Sequence, residues 1–252
     1  MTLQEILQRL DYERRNLAMP GTDREILTSI TRTASPYHAI GWSSLTAENA
    51  DSVIAHEIDH HRSLGVPFEW KLYSHDTPGD FLMRLQRHGF EIGKREAVLI
   101  YDLAKPPEWM NDRNTKHVIQ IERLDQIPIY KNLIGEDFDE FQEAITADLA
   151  DAIRSGSTHH RIYIAYDGCE PVSTGRLYTH PDSWFAGLYG GGTLPAFRGR
   201  GHYRSLVAAR ARDALASGAK FLQVDALPTS RPILERLGFL HLTDTWPCNW
   251  RP

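Results

Sequence analysis

The chain has 252 residues, of which 41% are hydrophobic and 24% charged, enough apolar material for one large cored domain or two of ordinary size. A formal net charge of −5 leaves no broad basic field, which argues against nucleic-acid and membrane partners and makes any anion site a local one. Two cysteines, Cys169 and Cys248, are too few for a disulfide framework. With no signal-peptide core and no run of about 20 apolar residues, the sequence reads as a soluble, cytoplasmic protein.

In chain order, a charged amphipathic helix opens the sequence, and strands are predicted at Glu25–Thr33 and His38–Leu45. A helix is predicted over Thr46–Leu64, started by Thr46 and Glu48 and stopped by Gly65. The strand FEWKLY (Phe68–Tyr73), a short helix over Asp80–His88 and the strand AVLIYDL (Ala97–Leu103) complete the first half. Lys105-Pro106-Pro107-Glu108 removes backbone donors and stiffens the chain, which places a domain boundary there. The expected division is 1–104, a linker 105–116, and 117–252.

The second half restarts with a strand at Val118–Ile121. A helix is predicted over Asp137–Ile153 from Phe141, Ile145, Leu149 and Ala152 at helical spacing. A strand, turn and strand follow at Ile162–Tyr166, Asp167-Gly168 and Val172–Tyr178. Phe185–Leu194 is a glycine-heavy strand, Gly201–Ser217 a helix, Phe221–Leu227 a strand and Ser230–Leu237 a short helix closed by Gly238-Phe239. The two halves end alike. Gly65 and Phe68 map to Gly218 and Phe221 with one offset, and Gly89-Phe90 map to Gly238-Phe239 with nearly the same one, which suggests a structural duplication.

The run TLPAFRGRGHYR (Thr193–Arg204) lies between a predicted strand and a predicted helix. Gly199 and Gly201 permit a tight turn that exposes backbone N–H groups. Those donors, the helix dipole and Arg198, Arg200 and Arg204 make a compact anion site suited to a pyrophosphate. Arg198, Gly201 and Tyr203 stand at the marked positions of a run that resembles the R/Q-x-x-G-x-G/A acetyl-CoA signature of the GNAT superfamily of N-acetyltransferases. The hairpin IYIAYDGCEPVSTGRLY resembles that family's central strands, and TSRPILERLGF resembles its closing motif. The first half resembles a degenerate copy, because Leu45–Ala50, at the position of the signature, lacks its glycines and arginines.

The resemblance implies an α/β (α+β) fold of two GNAT-like halves, each a mixed, mainly antiparallel sheet flanked by helices. It implies acetyl-CoA as cosubstrate, no metal, and an amine of a small molecule or peptide as acceptor; self-association stays open. The implied cofactor residues are Gly192, Thr193, Leu194, Arg198, Gly199, Arg200, Gly201, His202, Tyr203, Arg204 and Ser230. A backbone N–H near Gly192–Leu194 would face the thioester oxygen, and Ser230 would touch the pantetheine arm or serve as a helix N-cap. Two residues depart from the family pattern: Tyr203 replaces a small residue, and Leu234 stands where many members carry the tyrosine acid. Tyr189 is then the candidate acid and Asp225 the candidate base, with His180 and Asp182 as acceptor-site candidates and Trp246, Cys248 and Trp250 as candidates to close the pocket.

One motif points elsewhere. His56-Glu57-Ile58-Asp59-His60 fits the H-E-x-x-H pattern of zinc proteases. The extended form of that pattern requires Gly and His where this chain has Ser63 and Val66, and Asp59 charges a position that is ordinarily apolar. Glu69 or Glu91 could still supply a later ligand. The alternative functions are therefore a metalloprotease, a non-catalytic acyl-CoA-binding module, and a transferase of longer acyl groups.

Overall fold

Thr2 starts the first helix by a reciprocal cap: its Oγ1 accepts from Glu5 N–H at 3.2 Å, while the Glu5 carboxylate accepts from Thr2 N–H at 2.8 Å. In the computed structural model, which describes residues 1–18, 22–35, 37–111, 117–135 and 140–252, this helix is α1 (Leu3–Asn16). The chain divides into two units. The first comprises Met1–Leu99, Asp225–Arg236 and Leu240–Pro252; the second comprises Ile100–Val224 and Leu237–Phe239.

In the first unit the single strand expected at Glu25–Thr33 is two strands, β1 (Asp23–Ile26) and β2 (Ile30–Ser35). Leu27 N–H donates to Ile30 O at 2.9 Å and turns the chain into an antiparallel hairpin. Then come β3 (Ala39–Ser43), α2 (Ala50–Leu64), β4 (Phe68–Tyr73), α3 (Phe81–Arg87), β5 (Glu91–Ile92) and β6 (Glu96–Asp102), the last running on into the second unit. Helix α2 starts later than its sequence signals because Thr46 and Asn49 close a turn of their own, with Thr46 N–H donating to Asn49 Oδ1 at 2.8 Å. Gly65, at φ 68°, ends it. Two late segments return to this unit: α7 (Arg231–Arg236) and β12 (Leu240–Trp250), which pairs antiparallel with β4 from Thr245 to Trp250. The sheet order here is β1-β2-β3-β4-β12, with only β3 and β4 parallel. Its core includes Ile40, Ile54, Phe68, Trp70, Cys248 and Trp250.

The second unit contains β7 (His117–Gln120), α4 (Ile127–Ile134), α5 (Glu140–Ser155), β8 (His160–Asp167), β9 (Glu170–Tyr178), β10 (Phe185–Thr193), α6 (His202–Ala216) and β11 (Phe221–Ala226), whose last two residues belong to the first unit. The order is β11-β10-β9-β8-β7; again one pair, β10 with β11, is parallel and the others are antiparallel. Strand alternation assigns the faces. Ile162 and Ile164 pack with Tyr130 of α4 and Leu149 of α5, while Tyr163 between them donates to Asp213 of α6 at 2.5 Å. Of the expected linker, residues 112–116 lie outside the described residues; Trp109 and Met110 are buried, and Trp109 Nε1–H donates to Leu237 O at 2.9 Å. Residues 137–139, with which the expected 137–153 helix begins, and the side chain of Phe141 also lie outside them.

Each unit contains the same motif, two antiparallel pairings followed by a helix that crosses over into a parallel strand: β1-β2-β3-α2-β4 and β8-β9-β10-α6-β11. The strands are thus mainly antiparallel and flanked by helices.

Candidate active site

Strand β10 has two partners at its start and one at its end. It pairs with β11 from Phe185↔Phe221 to Gly187↔Gln223 and no further, but stays on β9 as far as Thr193↔Ser173. Past Gly187 the edge that faced β11 is therefore open. The β9 ladder is itself interrupted, with a bulge between Tyr189 and Gly192 that leaves Gly190 and Gly191 without register partners. Leu194 N–H donates to Val172 O at 2.9 Å, so this donor belongs to the ladder. Gly192 and Thr193 are fixed from β9 too: Ser173 Oγ–H donates to Gly192 O at 2.6 Å and lies 2.7 Å from Thr193 Oγ1.

The signature loop follows directly. Residues Pro195–Phe197 form one 3-10 turn, and Arg198 Nε–H reaches back to Thr193 O at 3.1 Å. Gly201 precedes α6 at φ 88°, a conformation that side-chain-bearing residues rarely adopt. The first helical bond is Ser205 N–H to Gly201 O, so the amides of His202 and Tyr203 precede the helical ladder at this end of α6. Amides at a helix start lie at the positive end of the helix dipole. Arg200 is exposed over the Phe197 ring at 5.0 Å and pairs with Asp167 at 3.3 Å. An exposed pair of this kind contributes about 0–1 kcal/mol, so an incoming phosphate can displace it. His202 is buried, with Nε2 3.5 Å from the same carboxylate.

Tyr203, the departure from the family pattern, is matched by a glycine. A Cβ on Gly191 would stand 2.9 Å from the Tyr203 ring, so ring and strand fit only because Gly191 has no side chain. Burial pushes the Tyr203 phenol upward, against the opposing effect of nearby Arg210. Arg210 itself is buried; its guanidinium donates to Leu206 O, Arg176 O and Tyr189 O at 3.1, 3.1 and 3.5 Å. Tyr189 is 38% exposed on the open segment of β10, with its ring edge-on to Tyr178.

Other expected residues have structural partners. Asp225, in the first unit, binds Lys71 Nζ at 3.1 Å, and Glu96 shares that ammonium at 3.2 Å. The Ser230 hydroxyl donates to Leu227 O at 3.2 Å, and Leu234 is fully buried. His180 Nδ1 accepts from Asp182 N–H in the loop before β10. Cys248 and Trp250 belong to the first unit's core, Trp246 packs against it, and burial raises the Cys248 thiol to about 12. In the protease-like motif, both Glu57 oxygens accept from Arg32, at 2.7 and 3.0 Å, inside the first unit. His56 is exposed, and the adjacent His61 is buried and stacked on Phe68 at 3.9 Å. That motif therefore lies on a packed helix with its glutamate engaged. Sequence reasoning passed over Arg176 and Arg210; a charged residue in the middle of the central strand VSTGRLY was the available signal for the first.

The open β10 edge, its bulge and the glycine-led start of α6 thus follow one another along the chain. Residues 127–239, from the start of α4 to Phe239, match the model of the acetyltransferase (GNAT) family. No curated protein gives a match. Among solved structures, a functionally unknown conserved protein from Staphylococcus epidermidis ATCC 12228 aligns at TM-score 0.67 and 12% identity, covering 94% of this chain and 96% of its own. A GCN5-related N-acetyltransferase from Kribbella flavida aligns at TM-score 0.64 and 14% identity, over 99% of this chain and 94% of its own. A tandem GNAT protein from the clavulanic acid biosynthesis pathway aligns at 0.58 and 12%, over 93% and 84%. At these identities the likeness is one of fold, and it extends over nearly the whole chain. The match to the acetyltransferase (GNAT) family is thus one of residues 127–239, and over the rest of the chain the likeness is one of fold alone.

Proposed function

We propose that the protein transfers an acetyl group from acetyl-CoA to a primary amine, with residues 117–252 carrying the transfer machinery. The observation that supports this most is the departure of β10 from β11 after Gly187↔Gln223, directly before the loop that opens α6. The residues present fit the cosubstrate. The exposed backbone of Gly190–Gly192 would receive the pantetheine arm, and the amides of His202, Tyr203 and Arg204, with Arg198 and Arg200, would hold the pyrophosphate. Acetyl-CoA supplies a thioester whose acyl carbon an amine can attack, releasing a thiol with an ordinary pKa of about 8.5. The unpaired bulge at Gly190–Gly191 offers backbone donors toward the thioester oxygen.

Tyr189, exposed on the open segment of β10, is the proposed proton donor to the leaving thiolate. Thiol release from acetyl-CoA against a panel of amines and amino acids tests the reading. Acceptor-dependent release is expected, and Tyr189→Phe should lower kcat by about 100-fold. Asp225→Asn examines the base expectation in the same assay. Buried Leu234 and the Asp225–Lys71 pair favour a second reading, an acyl-CoA-binding module without turnover. Tight acetyl-CoA binding with no thiol release for any acceptor would establish that instead.

A further inference from the structure

Two buried arginines in the second unit differ in one respect. The Arg210 guanidinium is satisfied by three carbonyls, whereas Arg176 on β9, 5% exposed, has Nε and Nη1 buried with no hydrogen-bond partner among the described residues. Gly175 turns toward Arg210 of α6, so alternation points Arg176 to the opposite face of the sheet, the face that carries α4 and α5. Tyr130 and His160 both feel its charge there. Asp148 is engaged by others on that face: His160 Nδ1–H donates to it at 2.7 Å and Tyr178 OH at 3.4 Å. Among the described residues no carboxylate pairs with Arg176, and a buried cation without a counter-ion is among the costliest arrangements a fold can keep.

A route to the guanidinium exists. Arg176 is the register partner of Tyr189, at the edge of the β10 bulge. A Cβ on exposed Gly190 would stand 2.9 Å from Arg176 Nε and 3.3 Å from Nη2, so only the absence of that side chain leaves the guanidinium approachable from the bulge. A second atom on this face also lacks a partner. His160 Nε2 is buried without one, and because Nδ1 carries the proton given to Asp148, Nε2 of the neutral ring is an acceptor. Burial favours that neutral ring.

We propose that Arg176 is the seat for a carboxylate of a reactant, with His160 Nε2 placed to accept an N–H, so that the acceptor is an amine bearing a carboxylate, such as an amino acid. The planar guanidinium matches a carboxylate with two parallel donors, and the ligand's charge removes the cost of the unpaired cation. The inference rests on the acetyltransferase reading for its reaction and on Arg176 alone for its ligand. A carboxylate on the acyl chain is the other source of the same chemistry.

The test compares amino acids with their decarboxylated amines as acceptors for acetyl-CoA, and acetyl-CoA with succinyl-CoA for a simple amine. Wild type should prefer the amino acid by about 100-fold in kcat/KM. Arg176→Gln should bring that ratio near unity while leaving the KM for acetyl-CoA within about twofold. A preference for succinyl-CoA that Arg176→Gln abolishes would move the carboxylate to the acyl group and keep the seat. Equal use of both members of each pair by wild type would overturn the proposal and leave the acetyltransferase reading standing. If no acceptor turns over, thermal melts decide: the amino acid should raise the melting temperature of wild type and not of Arg176→Gln, and equal shifts overturn the seat. If the glutamine variant does not fold, Arg176→Lys serves in its place, since it keeps the charge and loses the fork; unchanged discrimination in that variant overturns the proposal.

Discussion

Tyr203 and Gly191 form a pair that neither residue explains alone, since the ring occupies the space a side chain on the strand would need. Gly191→Ala should therefore destabilise by about 1–3 kcal/mol and raise the KM for acetyl-CoA. Combined with Tyr203→Ala, its stability cost should fall below the sum of the two, as a double-mutant cycle by urea unfolding would show. In the first unit, Glu57 and Arg32 have side chains 1% and 8% exposed. Without Glu57 the buried Arg32 keeps only the half-exposed Glu25 as its counter-ion, at 2.7 Å, so Glu57→Ala should cost about 1–3 kcal/mol in the same measurement. His61 gives a pH dependence. Burial holds its folded pKa at about 4, below the ordinary 6.5, with His38, His60 and Glu57 facing it. A depressed histidine pKa means the unfolded chain binds the extra proton first. The contribution of His61 is complete above pH 6.5 and is lost as pH falls toward 4. Stability measured across that window should decline, and His61→Phe should flatten the decline.

Among the elements, α2 and α6 show what a helix start can be used for. Helix α6 begins at an αL glycine with no acidic residue in its first turn, whereas the first turn of α2 carries Asp51, whose carboxylate is bound by Arg84 and His88. This difference was readable as Leu45–Ala50 against Arg198–Tyr203, and the glycine-marked ends of both helices aligned the halves. Other elements were not legible for physical reasons. Helix α4 is eight residues long and carries Pro128 in its first turn, too short for periodicity and marked by a residue that reads as a breaker. The β1–β2 hairpin was hidden because its turn, Leu27-Thr28-Ser29-Ile30, carries no Gly, Pro, Asn or Asp to mark it. The burial of Arg176 was not visible because burial and partnering belong to the folded sheet. The protease pattern on α2 was legible but without chemistry: His56→Ala with His60→Ala should leave thiol-release rates within about twofold of wild type.

For the whole molecule, the order along the chain differs from the order in the units, since β12, the last strand, completes the first unit by pairing with β4. Cys248 and Trp250 then lie in the core formed mainly by the first 99 residues. Deleting residues 240–252 should remove the cooperative unfolding of that unit, read from tryptophan fluorescence, because one side of β4 loses its ladder. Among the described residues no helix is long and apolar enough to cross a membrane. The central claim, that the loop between β10 and α6 holds the pyrophosphate of acetyl-CoA, is tested most directly by titration calorimetry of acetyl-CoA into wild type and into the Arg198→Glu, Arg200→Glu double variant. Wild type should bind. The variant, confirmed as folded by circular dichroism, should lose about 100-fold or more in affinity, as expected when two charge-assisted bonds become repulsions. Equal affinity in the two proteins would contradict the account.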